Sequence, residues 1–296
     1  MYVIVGATGN TGRVIVETLL AEKKTVRVVG RSAERLKPLV DKGAGAFQGS
    51  ADDPSAMVAA FTGAKAVYTM IPPHDAAENL RAYQNQVGQV LVSAIEQTGV
   101  QYVVNLSSVG AERAEGVGPV NGLHDMERLL NDLPGVHVVH LRPGFFMENF
   151  FFNLNLIRTA GINGTPLKPD LPIPMIATRD IASVASQRLL DLDFNGKSTI
   201  DLLGERDISM SEATQILGRA IGKAGLPYLQ FPYEDAQKAM LQMGLSSSMA
   251  EAFIEMYRGL NEGIMKPTEK RSARNTTPTP FEDFAPQFAA VYRHQT

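Results

Sequence analysis

The sequence predicts an α/β protein, a doubly wound parallel sheet with a smaller, mainly helical C-terminal part. Three observations predict it. Short apolar runs at 2–5, 25–30, 46–49, 65–71 and 100–106 alternate with amphipathic helical stretches, which is the signature of successive βα units. The first run leads directly into Gly6-Ala7-Thr8-Gly9-Asn10-Thr11-Gly12. Beyond residue 150 the alternation gives way to a stretch rich in Phe, Asn, Gly and Pro, and then to helical patterns.

The first strand, turn and helix organise the rest. Residues 13–22 place Val14, Ile15, Thr18 and Leu19 on one side of a helix. Strand, glycine turn and helix together form the context of a dinucleotide site of the Rossmann type, here with GxxGxxG spacing. Gly6 turns the chain sharply off the strand, Gly9 lets backbone approach a diphosphate, and Gly12 lets the helix pack closely. The open N–H groups and partial positive charge of the helix N-terminus favour the phosphates. Gly6, Thr8, Gly9, Asn10, Thr11 and Gly12 are therefore candidate cofactor residues.

The end of the second strand selects the cofactor. An NAD site carries Asp or Glu there to bind the adenosine ribose. This chain has Gly30-Arg31-Ser32, with no acid until Glu34. Arg31 can pair with a 2′-phosphate and Ser32 can donate to it, so NADP(H) is expected over NAD(H). After the third strand, Ser50 and Ala51 are placed beside the adenine, with Asp52 and Asp53 as alternative helix caps ahead of Pro54. The fourth strand ends at Met70-Ile71-Pro72-Pro73, a rigid wall for the crevice. His74 is read as a surface-loop histidine.

A long helix follows over 76–98, burying Val87, Leu91, Ala94 and Ile95. Gly88 inside it suggests a close approach of helix to sheet. The fifth strand exits at Ser107-Ser108. A glycine-rich loop at 116–122 precedes a helix over 123–131, with Leu123, Met126, Leu129 and Leu130 inward and His124 and Arg128 one turn apart on one face. The sixth strand, 136–141, leads to Arg142-Pro143-Gly144-Phe145-Phe146. Pro143 and Phe145 join the crevice candidates, because ligands lie beyond the carboxyl ends of such strands. Further on, a helix over 181–190 with Asp180 as N-cap, a strand over 197–203, a helix from Ser209 or Ser211 to 221, and helices over 235–244 and 248–263 are expected. Met240, Met243, Met249, Met256 and Met265 concentrate in that last part, where methionine fills irregular space.

The expected organisation is a dinucleotide-binding domain over 1–150, with 176–203 packing back onto it. Residues 151–175 and 204–296 form a smaller substrate or lid domain. With 44% hydrophobic residues the chain can bury a sizeable core, and a net charge of −3 without a basic block gives no sign of nucleic-acid or anionic-membrane binding. The absence of cysteine excludes disulfides, zinc-thiolate sites and thiol nucleophiles, and fits a cytoplasmic protein. No metal site, signal peptide or membrane span is expected.

The stretches VGATGNTG, GRS, VVNLSSVGA, HLRPGFFMEN, IATRDIASVA and TPFEDFAPQFAAVY resemble the NmrA-like family of atypical short-chain dehydrogenases/reductases, and they span nearly the whole chain. The resemblance implies a Rossmann domain that binds NADP(H), a smaller domain closing over the nicotinamide, and likeness to bacterial NADPH-quinone and dye reductases. The chain departs from the superfamily where the Tyr-x-x-x-Lys pair is usual, carrying His124-x-x-x-Arg128 instead. Ser50 likewise stands where relatives often have an acid. Arg128 cannot relay a proton but can hold a ribose hydroxyl. His124 and Ser107, the latter at the superfamily's serine position, are the candidate catalytic residues, and Ser107, at the exit of the fifth strand, is a candidate cofactor residue as well. Two functions follow from the resemblance. One is an NADPH-dependent reductase of quinone- or dye-like small aromatic acceptors. The other is a non-catalytic NADP(H) sensor acting through a protein partner. Oligomeric state is left open.

Overall fold

The computed structural model describes residues 1–294. The N-terminal half alternates strand and helix: β1 (Tyr2–Val5), α1 (Asn10–Ala21), β2 (Val26–Gly30), α2 (Ala33–Val40), β3 (Gly45–Gln48), α3 (Pro54–Phe61), β4 (Ala66–Thr69), α4 (Leu80–Thr98), β5 (Tyr102–Leu106), α5 (Asn121–Asn131) and β6 (His137–Pro143). After it come β7 (Phe145–Phe146), α6 (Leu154–Thr159), β8 (Asn163–Thr165), β9 (Ile173–Ile176), α7 (Thr178–Asp191), β10 (Lys197–Leu202), β11 (Asp207–Ile208), α8 (Met210–Ala220), β12 (Tyr228–Gln230), α9 (Tyr233–Gln242), α10 (Ser247–Asn261) and α11 (Phe281–His294).

Seven parallel strands make the main sheet, in the order β10-β6-β5-β4-β1-β2-β3. Strands buried on both faces need continuous apolar sequence, and β1 and β4 are buried at every residue. On one face α1, α2 and α7 close over Ile4, Val28, Tyr68 and Val104. On the other, α3, α4 and α5 close over Val3, Val5, Val67 and Val103. Order reverses between β1 and β4, and a crevice opens at the carboxyl end of the sheet at such a switch point.

A third apolar core lies outside the sheet. Met147, Phe150, Met175, Ile208, Leu217, Phe281 and Phe288 fill it, beneath two small sheets, β11-β9-β7 and β12-β8. The phenylalanines after β6 belong mainly here. Phe150 meets Phe281 edge-on at 5.3 Å and Phe151 stacks on Phe288 at 5.8 Å, whereas Phe152 is 83% exposed.

Several local expectations change. The stretch 150–175 is more regular than its composition suggested. It holds the end of a 3₁₀ segment (Met147–Asn153), then α6, β8 and β9. Helix α7 begins at Thr178, so Asp180 lies inside its first turn and is not the N-cap. Glu148 takes that duty, accepting from the Thr178 N–H at 3.0 Å and from its hydroxyl at 2.5 Å. Asp180 instead accepts from Thr279 N and Oγ1, at 3.0 and 2.6 Å, and pins the segment before α11. Gly88 serves helix–helix contact, not approach to the sheet, because a Cβ there would stand 3.2 Å from Met126 Sδ on α5.

Candidate functional site

The crevice is built on the glycine turn. Gly6 has φ +69°, a left-handed conformation that favours glycine. A Cβ on Gly12 would meet the Gly6 carbonyl oxygen at 2.3 Å, so the first turn of α1 rests directly on the loop. A Cβ on Gly9 would meet only Gly6 O, at 3.3 Å, and would otherwise project into open space. No side chain caps the N-terminus of α1. Thr11 turns inward, its hydroxyl 3.1 Å from the buried Tyr68 hydroxyl, and leaves its backbone to the crevice. Gly9 and Asn10 are exposed and Thr8 half-buried. Exposed backbone donors with an uncompensated helix dipole suit a diphosphate.

Arg31 is exposed at the end of β2, and its carbonyl accepts from Gln48 Nε2 at 3.1 Å. Ser32 is the N-cap of α2, accepting from Arg35 N at 3.2 Å; its own proton stays available to donate. Ala51 is buried in the core, Ser50 is half-buried beside it, and Asp53 caps α3. Tyr83 of α4, which the sequence did not single out, joins this corner. Its hydroxyl donates to Pro72 O at 3.1 Å. Burial, and then Asp52, push its phenol up, while Arg31 opposes them, which places all three in one electrostatic neighbourhood. An aromatic residue on an amphipathic helix gives no sequence signal of this kind. His74 is exposed and meets Tyr83 edge-on at 4.9 Å.

Met70, Ile71 and Pro72 are half-buried and form the wall after β4. Met70 lies under Gly6, its Sδ 2.8 Å from where a Cβ would stand. Pro143 is buried at the end of β6, its carbonyl taking the Val109 N–H at 3.0 Å. Phe145 is half-buried, with its ring 6.1 Å from Phe150.

His124 and Arg128 share one face of α5. His124 Nδ1 lies 2.8 Å from the Ala111 carbonyl oxygen, and since a carbonyl only accepts, Nδ1 carries the proton and Nε2 is left open. The next residue, Asp125, takes both Arg81 Nε and Nη2, at 2.7 and 2.9 Å, and is held below the usual carboxylate range mainly by that bond. Arg128 is exposed.

Ser107 is held by side chains of the core. It is buried, and its hydroxyl donates to Glu127 Oε1 at 2.5 Å. Arg142 grips the same carboxylate with Nε at 2.9 Å and Nη2 at 2.5 Å. Burial alone pushes the Glu127 carboxyl up, but the Arg142 hydrogen bonds, His140 and Ser107 outweigh it, and the group lies below its ordinary value. A hydroxyl that gives its proton to a buried carboxylate does not present it to the crevice. Among the described residues no cluster of three or more His, Asp and Glu could hold a metal ion, and no helix is long and apolar enough to cross a membrane.

The profile described as the NmrA-like family matches residues 2–285. The NAD(P)H azoreductase of Xenophilus azovorans is 27% identical over 296 residues, 99% of each chain. Among solved structures, the NADPH-dependent quinone oxidoreductase of Escherichia coli in complex with NADPH superposes with a TM-score of 0.82 at 19% identity, over 97% of this chain and 99% of that one. The triphenylmethane reductase of a Citrobacter species in complex with NADP(H) gives 0.79 at 20% identity, over 98% and 100%. At such identities the two structures establish the shared fold.

Proposed function

This chain belongs to the NmrA-like family, and from that premise we propose that it is an NADPH-dependent reductase of quinone- or dye-like small aromatic acceptors. The observation that carries the reading is the cradle at the head of α1: a left-handed Gly6, a Gly9 whose missing Cβ keeps the approach open, and a helix N-terminus that no side chain caps. The activities of relatives, an azoreductase, a quinone oxidoreductase and a triphenylmethane reductase, support the acceptor class.

When bound, NADPH supplies the hydride, and the protein has to hold and orient it. In this proposal the backbone of Asn10, Thr11 and Gly12 holds the diphosphate. Arg31 and Ser32 hold the 2′-phosphate, which makes NADP(H) the preferred form. Ser50, Ala51 and Tyr83 flank the adenine, and Met70 to Pro72, Pro143 and Phe145 line the nicotinamide end. Arg128 holds a ribose hydroxyl. His124 Nε2, left open by the Nδ1 bond to Ala111, takes a proton from solvent and passes it to the reduced acceptor. Residues 151–175 and 204–296 act as the lid. A cytoplasmic location, where the pools are reducing, belongs to the same reading.

Stopped-flow oxidation of NADPH against menadione, an azo dye and a triarylmethane dye tests it. Turnover with at least one acceptor is expected. Tight NADP binding with no turnover on any of them would favour a second reading, a non-catalytic sensor of the NADP pool. One observation speaks for that alternative: Ser107, at the superfamily's serine position, has its hydroxyl engaged by Glu127 in the core.

A further inference from the structure

We propose that the groove between the N-termini of α1 and α7 is an oxyanion subsite, separate from the glycine cradle. It is a cavity of about 150 Å³ whose lining includes Asn10, Arg13, Glu148, Arg179, Thr279 and Gln287. Its walls include none of Gly6, Gly9 or Gly12, so it opens on the side of α1 that faces α7. At roughly 30 Å³ per water it has room for about five waters, or one phosphate, sulfonate or carboxylate group.

Charge defines the ligand. The Arg13 guanidinium makes no hydrogen bond or ion pair among the described residues, and the Arg179 side chain engages only its Nε, which donates to Thr279 Oγ1 at 3.0 Å. Two guanidinium groups that open onto one cavity repel each other, and an anion between them turns that repulsion into attraction. Guanidinium forks match oxyanions two bonds at a time. Two carboxylates stand nearby and keep their charge, Glu148 in the lining itself, but their oxygens are occupied by other donors and neither is paired with Arg13 or Arg179. Glu148 spends its oxygens on the first N–H and hydroxyl of α7, and Asp180 spends its own on Thr279. Asn10 and Gln287, whose side chains carry amide donors, and the aromatic Phe284 are also in the lining. The site therefore takes either free phosphate or the anionic substituent of an aromatic molecule. This inference stands on the groove itself and not on the reductase reading.

Calorimetry on the NADP-saturated protein tests it, with inorganic phosphate, benzenesulfonate and the neutral benzenesulfonamide as probes. One oxyanion per chain is expected to bind and the sulfonamide is not. Arg13→Gln and Arg179→Gln should each weaken the oxyanion by about tenfold, the worth of one charge-assisted bond. NADP affinity should hold in both. Arg179→Lys keeps the charge and should restore part of the loss, which separates a ligand role from damage to the Thr279 contact. Tighter benzenesulfonate than phosphate identifies an aromatic-borne group, and the reverse identifies free phosphate. Binding of neither anion by the wild type overturns the proposal. So does a parallel loss of NADP in both Gln variants, which would assign the two arginines to the dinucleotide.

Discussion

Gly12 and Gly6 are packed so closely that a Cβ on the first would stand 2.3 Å from the carbonyl oxygen of the second. A methyl group there has backbone, not a flexible side chain, to displace. Gly12→Ala should therefore cost at least the 1–3 kcal/mol typical of overpacking (about that order), and it should open the turn. Gly9→Ala is the informative partner, since its Cβ meets only Gly6 O at 3.3 Å. It should unfold in urea close to the wild-type midpoint yet bind NADP much more weakly, because the methyl enters the space the diphosphate needs. Wild-type NADP affinity in Gly9→Ala would remove the cradle from the binding account.

Arg31 carries the cofactor preference. It is exposed, so its removal should leave stability within about 0.5 kcal/mol of wild type. Arg31→Ala should weaken NADPH by about tenfold or more, the worth of a charge-assisted contact to phosphate, and leave NADH nearly unchanged. Fluorescence titration with both cofactors measures the ratio. Equal loss for both would mean that the guanidinium does not discriminate between them.

How much of this could be read in the sequence depended on how local the cause was. Strands of β1 and β4 type announce themselves, because burial on both faces demands unbroken apolar residues. The glycine turn did too, because each glycine answers a local steric demand. What escaped depends on contacts far apart in the chain. Asp180 looked like an N-cap beside a helical pattern, but the cap comes from Glu148, thirty residues before Thr178, and Asp180 serves Thr279 instead. Gly88 signalled a close approach correctly, while only the packing of α5 names Met126 as the neighbour. Ser107 matched a superfamily position, yet its surroundings are set by Glu127 on the next helix and Arg142 on the next strand. Tyr83 reaches the crevice only because α4 brings it beside Pro72.

The buried Ser107–Glu127–Arg142 cluster should separate stability from chemistry. Glu127→Gln removes the closer counter-charge of the Arg142 guanidinium, only 10% exposed, and leaves it Glu112 at 3.6 Å; it should cost up to about 3–5 kcal/mol. Ser107→Ala removes one bond to a carboxylate and should cost about 1.5–3 kcal/mol, with kcat unchanged at a temperature where the variant is folded. His124→Ala should do the opposite: normal urea unfolding and NADPH affinity, with kcat down by about a hundredfold, the lower range for loss of a general acid. A large kcat defect in Ser107→Ala with little loss of stability would return that serine to the chemistry. An unchanged kcat in His124→Ala would remove the histidine from it.

His140 makes stability fall on mild acidification. It is 1% exposed, between Asn105 Nδ2 at its Nδ1 (3.1 Å) and Asn131 Oδ1 at its Nε2 (3.0 Å). The register of β4, β5 and β6 puts Thr69, Asn105 and His140 side by side, and Thr69 Oγ1 donates to Asn105 Oδ1 at 3.0 Å, so the row is satisfied with a neutral ring. Burial, helped by Arg142 and Lys197 and opposed by Glu127, lowers its pKa from 6.5 to about 4. Between those two values the unfolded chain holds a proton that the folded chain does not. The contribution is therefore complete above pH 6.5 and lost as pH falls toward 4, on the order of 3 kcal/mol across the window. Glu127, whose pKa is also lowered, adds a loss in the same direction at more acid pH. Urea unfolding at intervals from pH 7.5 to 4, for wild type and His140→Gln, should give a falling ΔG in the first and a markedly flatter line in the second. Parallel slopes would mean that the loss comes from carboxylates and not from this ring.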